Sequence, residues 1–296
     1  MPSGSRLNDA GMIVYLNGDF LPLEDACISP MDRGFLFGDG VYEVIPAYNN
    51  RLFRIDEHLQ RLQNSLDAIR LKNPYSAQQW IDIFNTLVSH QDHSDHSIYL
   101  QITRGADSKR DHTIPDHIEP TVFIVSNPFP PLPDISDLSK ISGVRVMTQE
   151  DSRWQHCNVK AITLLANILH RQDAIDDGYA ETILIRDGYA LEGSASNLFI
   201  VKEGIIKTPP KSSLLLPGIT RDLVLEIAAQ NNVAAQEADI SSEDLFEADE
   251  VWVTSSTKEI VPVVQVDTDV IGDGAPGPVW KKMITRFQEY KKQLVA

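Results

Sequence analysis

The stretch Asn127-Pro128-Phe129-Pro130-Pro131-Leu132-Pro133-Asp134 constrains this chain more than any other. Four prolines in eight residues continue neither a helix nor a central strand, because each ring fixes φ and removes an amide donor. The segment reads as an extended, stiff connector. It divides the 296 residues into two parts of ordinary domain size. The expected boundaries are a flexible tail at 1–11, an N-terminal domain at 12–126, the linker at 127–134 and a C-terminal domain at 135–296.

On either side, strand and helix signals interleave. Ile13–Leu16 runs into the tight turn Asn17-Gly18, and Val41–Tyr48 pairs through Asn49-Asn50 with Arg51–Arg54. Asp56 reads as an N-cap, and Leu59, Leu62, Leu66 and Ile69 then recur at helical spacing. A second helix carries Trp80, Ile81, Phe84, Leu87 and Val88, and strands follow at Ile98–Thr103 and Thr121–Ser126. Beyond the linker, strands are expected at Val144–Thr148, Glu181–Arg186, Leu198–Lys202, Val251–Thr254 and Ile260–Val266. Helices are expected around Leu164–Ile175, after Pro217-Gly218 and around Val279–Tyr290. No internal repeat is visible, and the pattern predicts two mixed α+β domains.

Composition excludes several functions. Forty-two acidic against 26 basic side chains give a net charge of −16, which disfavours nucleic acid and anionic membranes as partners. The apolar runs are too short to span a bilayer, and Met1–Gly11 lacks the apolar core of a signal peptide. Cys27 and Cys157 have no zinc spacing and read as thiols in a reducing cytosol, so the expected location is cytoplasmic.

Two tempting motifs fail. The glycines of Gly34-Phe35-Leu36-Phe37-Gly38-Asp39-Gly40 run in the wrong order for a dinucleotide fingerprint and precede a strand rather than a helix. His90-Gln91-Asp92-His93-Ser94-Asp95-His96 is rich in metal-ligand types, but it joins a helix to a strand and reads as a solvated loop. No metal is expected.

Four other segments place reactive groups where packing does not require them. Lys160 ends a polar stretch and precedes an apolar helix; it is either a snorkelling surface amine or a partly desolvated one suited to Schiff-base chemistry. Glu192-Gly193-Ser194-Ala195-Ser196-Asn197 is a plain hydroxyl-rich turn or a close approach for a planar ligand, with Glu192 meeting a ring nitrogen. Leu216-Pro217-Gly218-Ile219-Thr220-Arg221 starts a helix whose first amides suit a phosphate. Val253-Thr254-Ser255-Ser256-Thr257 adds hydroxyls at a strand end, consistent with a second phosphate contact.

In their order, these segments resemble the class IV, fold type IV pyridoxal-phosphate aminotransferases, and among them the D-amino-acid (D-alanine) group. The resemblance also covers Asp32-Arg33-Gly34, Phe37-Gly38-Asp39-Gly40-Val41-Tyr42-Glu43 and Glu57-His58 with Arg61, and it runs from about Tyr15 to the C-terminus. It implies a smaller N-terminal α/β sandwich, a larger barrel-like C-terminal domain with helices, and a homodimer. It implies pyridoxal 5'-phosphate as cofactor, with D-amino acids and 2-oxo acids as substrates.

By that resemblance Lys160 would hold the cofactor covalently and move the substrate Cα proton. Glu192 would pair with the ring nitrogen. Arg61 would hold the phosphate with the Ile219 and Thr220 amides and Ser256. Ser196, Asn197 and Leu216 would line the cofactor, and Arg153 would lie near its phenolic oxygen. Arg110 and His112, with Tyr42, match an Arg-x-His carboxylate trap, which implies D-substrates; read alone, the same loop is simply solvated. Ala195, Pro217 and Pro46 depart from the family pattern and leave the substrate range open. Branched-chain L-aminotransferase, aminodeoxychorismate lyase and a non-catalytic relative are the alternatives.

Overall fold

The computed structural model describes residues 11–129 and 134–295. The expected tail at 1–11 falls outside these residues except for Gly11, as do 130–133 of the linker. The chain forms two compact units. One runs up to Phe129 and includes Lys160–Thr163; the other takes the rest.

The first unit is an antiparallel sheet with helices against it. Its strands are β1 (Ile13–Leu16), β2 (Asp19–Pro22), β3 (Gly40–Tyr48), β4 (Arg51–Leu52), β5 (His96–Thr103) and β6 (Thr121–Pro128), in the order β2-β1-β6-β5-β3-β4. The five-residue α1 (Arg33–Phe37) precedes β3, and α2 (Ile55–Ala68) and α3 (Ala77–Ser89) pack on the sheet. Amphipathic spacing puts Leu59, Leu62 and Leu66 of α2, and Trp80, Phe84, Leu87 and Val88 of α3, into the core. Each such apolar side chain contributes roughly 1.5–3 kcal/mol.

Two local expectations change. Arg54, in the left-handed region at φ 54°, is the N-cap of α2, and Asp56 sits in the first turn, where its charge favours the helix dipole. β6 extends through Asn127 to Pro128, which pairs with His96; proline is tolerated there because the ladder ends with it.

The second unit contains β7 (Val144–Glu150), α4 (Leu165–Asp176), β8 (Glu181–Arg186), β9 (Tyr189–Gly193), β10 (Asn197–Lys202), β11 (Ile205–Thr208), α5 (Ile219–Gln230), β12 (Ala235–Glu237), β13 (Ile240–Ser241), α6 (Ser242–Phe246), β14 (Glu250–Ser255), β15 (Glu259–Val266), β16 (Asp269–Val270) and α7 (Pro278–Val295). β10, β14, β15, β7, β8 and β9 follow one another in the sheet, and β9 also pairs with β10. The six strands therefore close into a barrel. Its interior holds Val146, Ile183, Leu198, Ile200, Val251, Val253 and Val263, the inward members of alternating strands. α5 and α7 pack on the outside of β14.

In α4 the apolar residues Leu165, Ile168, Leu169 and Ile175 are exposed, while His170 and Ala174 are buried. The helical spacing was readable; the side facing the barrel was not.

Candidate active site

β3 carries the first group of functional side chains. Successive residues on a strand point to opposite faces, so Tyr42 and Glu43 diverge. Glu43 is fully buried beneath α2. Arg61 and His58, three residues apart and hence on one face of that helix, both reach it. Arg61 Nε donates to Oε1 and Nη2 to Oε2, each at 2.8 Å, and His58 Nδ1 lies 2.9 Å from Oε2. Burial would push the Glu43 carboxyl up, but the adjoining guanidinium and both hydrogen bonds hold it well below the usual range. Burial pushes His58 down despite Glu43, and because a carboxylate only accepts, Nδ1–H is the donor to Glu43.

Tyr42, on the other face, meets Lys160, whose Nζ lies 4.2 Å from the ring centroid. The lysine backbone is held on both sides. Its amide donates to Ser65 Oγ of α2 at 3.2 Å, and its carbonyl accepts from the Tyr42 amide at 3.0 Å. Ala161 bridges to Val41, and Ile162 N donates to Gly40 O at 3.1 Å. Residues 160–162 thus run as a short antiparallel extension beside β3.

The loop after β5 carries Arg110 and His112, both exposed. Arg110 lies over the Phe37 ring at 4.9 Å, and the His112 ring is 5.2 Å from the same ring. Gly105 opens this loop at φ +101°, and a Cβ there would strike the Glu119 carbonyl. The structure brings Arg110 and His112 together on Phe37; Tyr42 is engaged with Lys160 and with Tyr99, 5.8 Å between ring centroids.

The second unit carries the other group. Glu192 of β9 and Asn197 of β10 face each other where the barrel closes. Asn197 Nδ2 donates to Glu192 Oε2 at 3.2 Å and to Leu216 O at 2.8 Å, while Leu216 N returns a bond to Glu192 Oε2 at 3.0 Å. Arg153 Nη1 pairs with Glu192 Oε1 at 2.5 Å, but the same guanidinium also binds Asp151 at 2.9 and 3.0 Å. Burial pushes the Glu192 carboxyl up to about 7; Arg153 opposes the shift, and the nearby Asp151 charge adds to it. Arg153 itself stays charged, held up by the two carboxylates against the cost of its burial.

α5 starts behind this cluster. Its N-cap is Gly218, where a Cβ would collide with the Asn197 side-chain oxygen. No side chain caps the helix, so the amides of Ile219 and Thr220, both in buried residues, lack an intrahelical acceptor. Asn197 is in register with Thr254 of β14, whose buried Oγ1 has no partner among the described residues. Ser256 lies in the turn after that strand. The Ser196 hydroxyl donates to Glu181 Oε2 at 3.0 Å, and Ser194 binds the other Glu181 oxygen.

Sequence reasoning missed the roles of Glu43, Asp151 and Glu181 as partners of the charged and hydroxyl side chains. Their signal was available at Glu43, a charge at an inward position of an apolar strand. Among the histidines at 90–96, His96 is buried, its ring nitrogens 3.0 Å from Ser126 Oγ and 2.8 Å from Asn50 Oδ1.

Residues 40–266 match the family described as amino-transferase class IV. The D-alanine aminotransferase of Listeria monocytogenes is 37% identical over 278 residues, covering 94% of this chain and 96% of that one. The chain is a class IV aminotransferase. Solved structures agree with this membership. The branched-chain amino acid aminotransferase of Escherichia coli superposes with a TM-score of 0.86 at 28% identity, covering 94% of each chain. The branched-chain enzyme of T.th., solved with pyridoxamine 5'-phosphate, gives 0.86 at 26% identity over 96% of this chain and 94% of that one. No helix among the described residues is long and apolar enough to cross a membrane.

Proposed function

We propose that this aminotransferase moves the amino group of D-alanine or a similar D-amino acid to 2-oxoglutarate, using pyridoxal 5'-phosphate. The observation that carries the reading is the pair Arg110 and His112 on Phe37, in a chain 37% identical to a D-alanine aminotransferase. A guanidinium beside an imidazole suits a carboxylate.

The residues fit the cofactor on structural grounds. An uncapped, buried helix start at Ile219 and Thr220 suits a phosphate. A buried carboxyl shifted to about 7 suits a protonated ring nitrogen opposite it, since a neighbouring cation would restore its ionised form. The Thr254 hydroxyl, near the end of β14 and two residues before Ser256, is an unsatisfied polar group among the described residues. Arg61, fixed by Glu43, would complete the phosphate contacts. Bound pyridoxal phosphate supplies an electron sink that stabilises negative charge at the substrate Cα.

Lys160 would provide the amine that holds the cofactor, and its Nζ would accept the substrate Cα proton. Its clamped backbone leaves only the side chain to move between those tasks. Arg153 would lie near the cofactor's phenolic oxygen, and Ser196, Asn197 and Leu216 would line the cofactor, the last two also holding Glu192 in place. Arg110, His112 and Tyr42 would hold the substrate carboxylate, which fixes the substrate hand once the Cα–H faces Lys160.

The exposed apolar stripe Leu165, Ile168 and Leu169 on α4 supports a homodimer. Both cysteines are free, which supports a cytoplasmic location. Similarity to the E. coli branched-chain enzyme favours a second reading, L-branched-chain transamination. Purified protein loaded with pyridoxal phosphate is incubated with 2-oxoglutarate and either D-alanine or L-leucine, and the products are resolved on a chiral column. D-glutamate with pyruvate is expected, while turnover of L-leucine alone overturns the proposal. Lys160→Ala is expected to lose turnover by on the order of 10²- to 10⁴-fold.

A further inference from the structure

We infer that Arg33 and Phe37 are positioning residues that set the geometry of the carboxylate-binding pair Arg110 and His112. The inference rests on the proposed role of that pair.

Arg33 is 4% exposed, and a buried guanidinium persists only when its donors are paired. Nε pairs with Asp39 at 2.8 Å. Nη1 is spent differently: it donates to the main-chain carbonyls of Asp111 at 2.6 Å and Thr113 at 3.3 Å. Those carbonyls flank His112, in an exposed loop 78 and 80 residues further along the chain. Core packing gives a buried charge no reason to bond the backbone of a surface loop. The bond does fix where residues 110–112 sit.

Phe37 fixes how their side chains point. Its ring lies 4.9 Å from the Arg33 guanidinium and 4.9 Å from that of Arg110, with the His112 ring at 5.2 Å. An aromatic face attracts a guanidinium and restricts its orientation. Phe37 sits on a capped element. It ends α1, which is capped at one end by the Asp32 side chain on Gly34 N at 2.7 Å and at the other by Gly38 in the left-handed region. Asp39 is in turn held by Arg104, at 2.8 and 2.9 Å, so the platform is tied to the end of β5. One buried arginine and one ring thus carry the loop's backbone and the Arg110 and His112 side chains separately.

The test uses the cofactor-loaded enzyme and measures kcat and KM for D-alanine, the inhibition constant of propionate as a plain carboxylate probe, and the visible cofactor band. Arg110→Ala is the reference. Phe37→Leu is expected to raise both KM and the propionate constant by roughly fivefold, with kcat within about twofold of the parent. Phe37→Tyr, which keeps the aromatic face, restores both. Arg33→Lys keeps a charge for Asp39 but loses the fork, and it is expected to raise both constants by on the order of tenfold. If that variant does not fold, the two Phe37 variants decide. If Arg110→Ala raises both constants while Phe37→Leu changes only thermal stability, the positioning role is overturned and the proposed substrate pocket stands. If Arg110→Ala changes neither constant, the carboxylate role of the loop fails first, and this inference with it.

Discussion

Glu192 and Asn197 face each other at the ladder position where β9 meets β10 and the barrel closes, and the Asn197 amide donates to the Glu192 carboxylate across it. The carboxyl assigned to the cofactor ring is therefore also a structural member of the barrel. Leu216 N and Arg153 complete its coordination, so Glu192 has little freedom to rotate.

Glu192→Gln is expected to fold and load pyridoxal phosphate, because an amide of the same shape keeps an oxygen for Leu216 N or Arg153. It would remove the charge proposed to face the ring nitrogen, and loss of a preorganised electrostatic contact costs about 10²- to 10³-fold in kcat. Steady-state kinetics alongside the visible spectrum check this; a variant with parent-like kcat would exclude Glu192 from the chemistry.

Glu43→Ala is expected to destabilise the protein by about 3–5 kcal/mol, since it removes the carboxylate that neutralises the buried Arg61 guanidinium. Urea denaturation measures the loss. Arg61 would also lose its orientation, so a weaker affinity for pyridoxal phosphate should accompany it in a fluorescence titration. Stability unchanged within 1 kcal/mol would mean that Arg61 finds another acceptor.

The stability of the cofactor-free protein should fall on both sides of weakly acidic pH. His58 is held below the ordinary imidazole value of 6.5, so the folded state binds fewer protons than the unfolded state, and stability drops as pH falls from 6.5. Glu43, held below 4.5, extends the same loss to lower pH. Glu192 acts in the opposite sense: raised from 4.5 to about 7, its contribution is full below 4.5 and is lost as pH rises through about 7. Melting temperatures measured from pH 4 to 9 should therefore flatten on the acid side in His58→Gln and on the alkaline side in Glu192→Gln. An unchanged profile in both variants would show that neither group titrates differently on folding.

Local signals in the sequence located most elements. The Asn17-Gly18 turn, the spacing of Trp80, Phe84 and Leu87, and the Pro217-Gly218 helix start each reflect a short-range rule that the folded chain obeys. What the sequence concealed is non-local. Periodicity revealed α4 but not that Leu165, Ile168 and Leu169 face outward, because facing depends on which strand arrives beside the helix. Asp56 looked like a cap, yet the hand-over from β4 put Arg54 there instead. Arg61 and Arg153 were named through resemblance, but their ion-pair partners Glu43 and Asp151 were not. A buried charge is balanced by whatever the fold brings near it, across 18 residues for Arg61 and Glu43.

The alternation along β3 carries a consequence for how this sequence can drift. Tyr42 and Glu43 serve opposite sides of one strand, the first beside Lys160 and the second beneath α2. A single insertion upstream within that strand would carry the phenol to the position facing Arg61, and a single deletion would carry the carboxylate to the position beside the lysine. Substitutions at half-exposed Val44 change one contact at a time. A shift in frame there would instead displace both side chains from their partners in one step, so lineages carrying this fold should vary β3 by replacement and almost never by length.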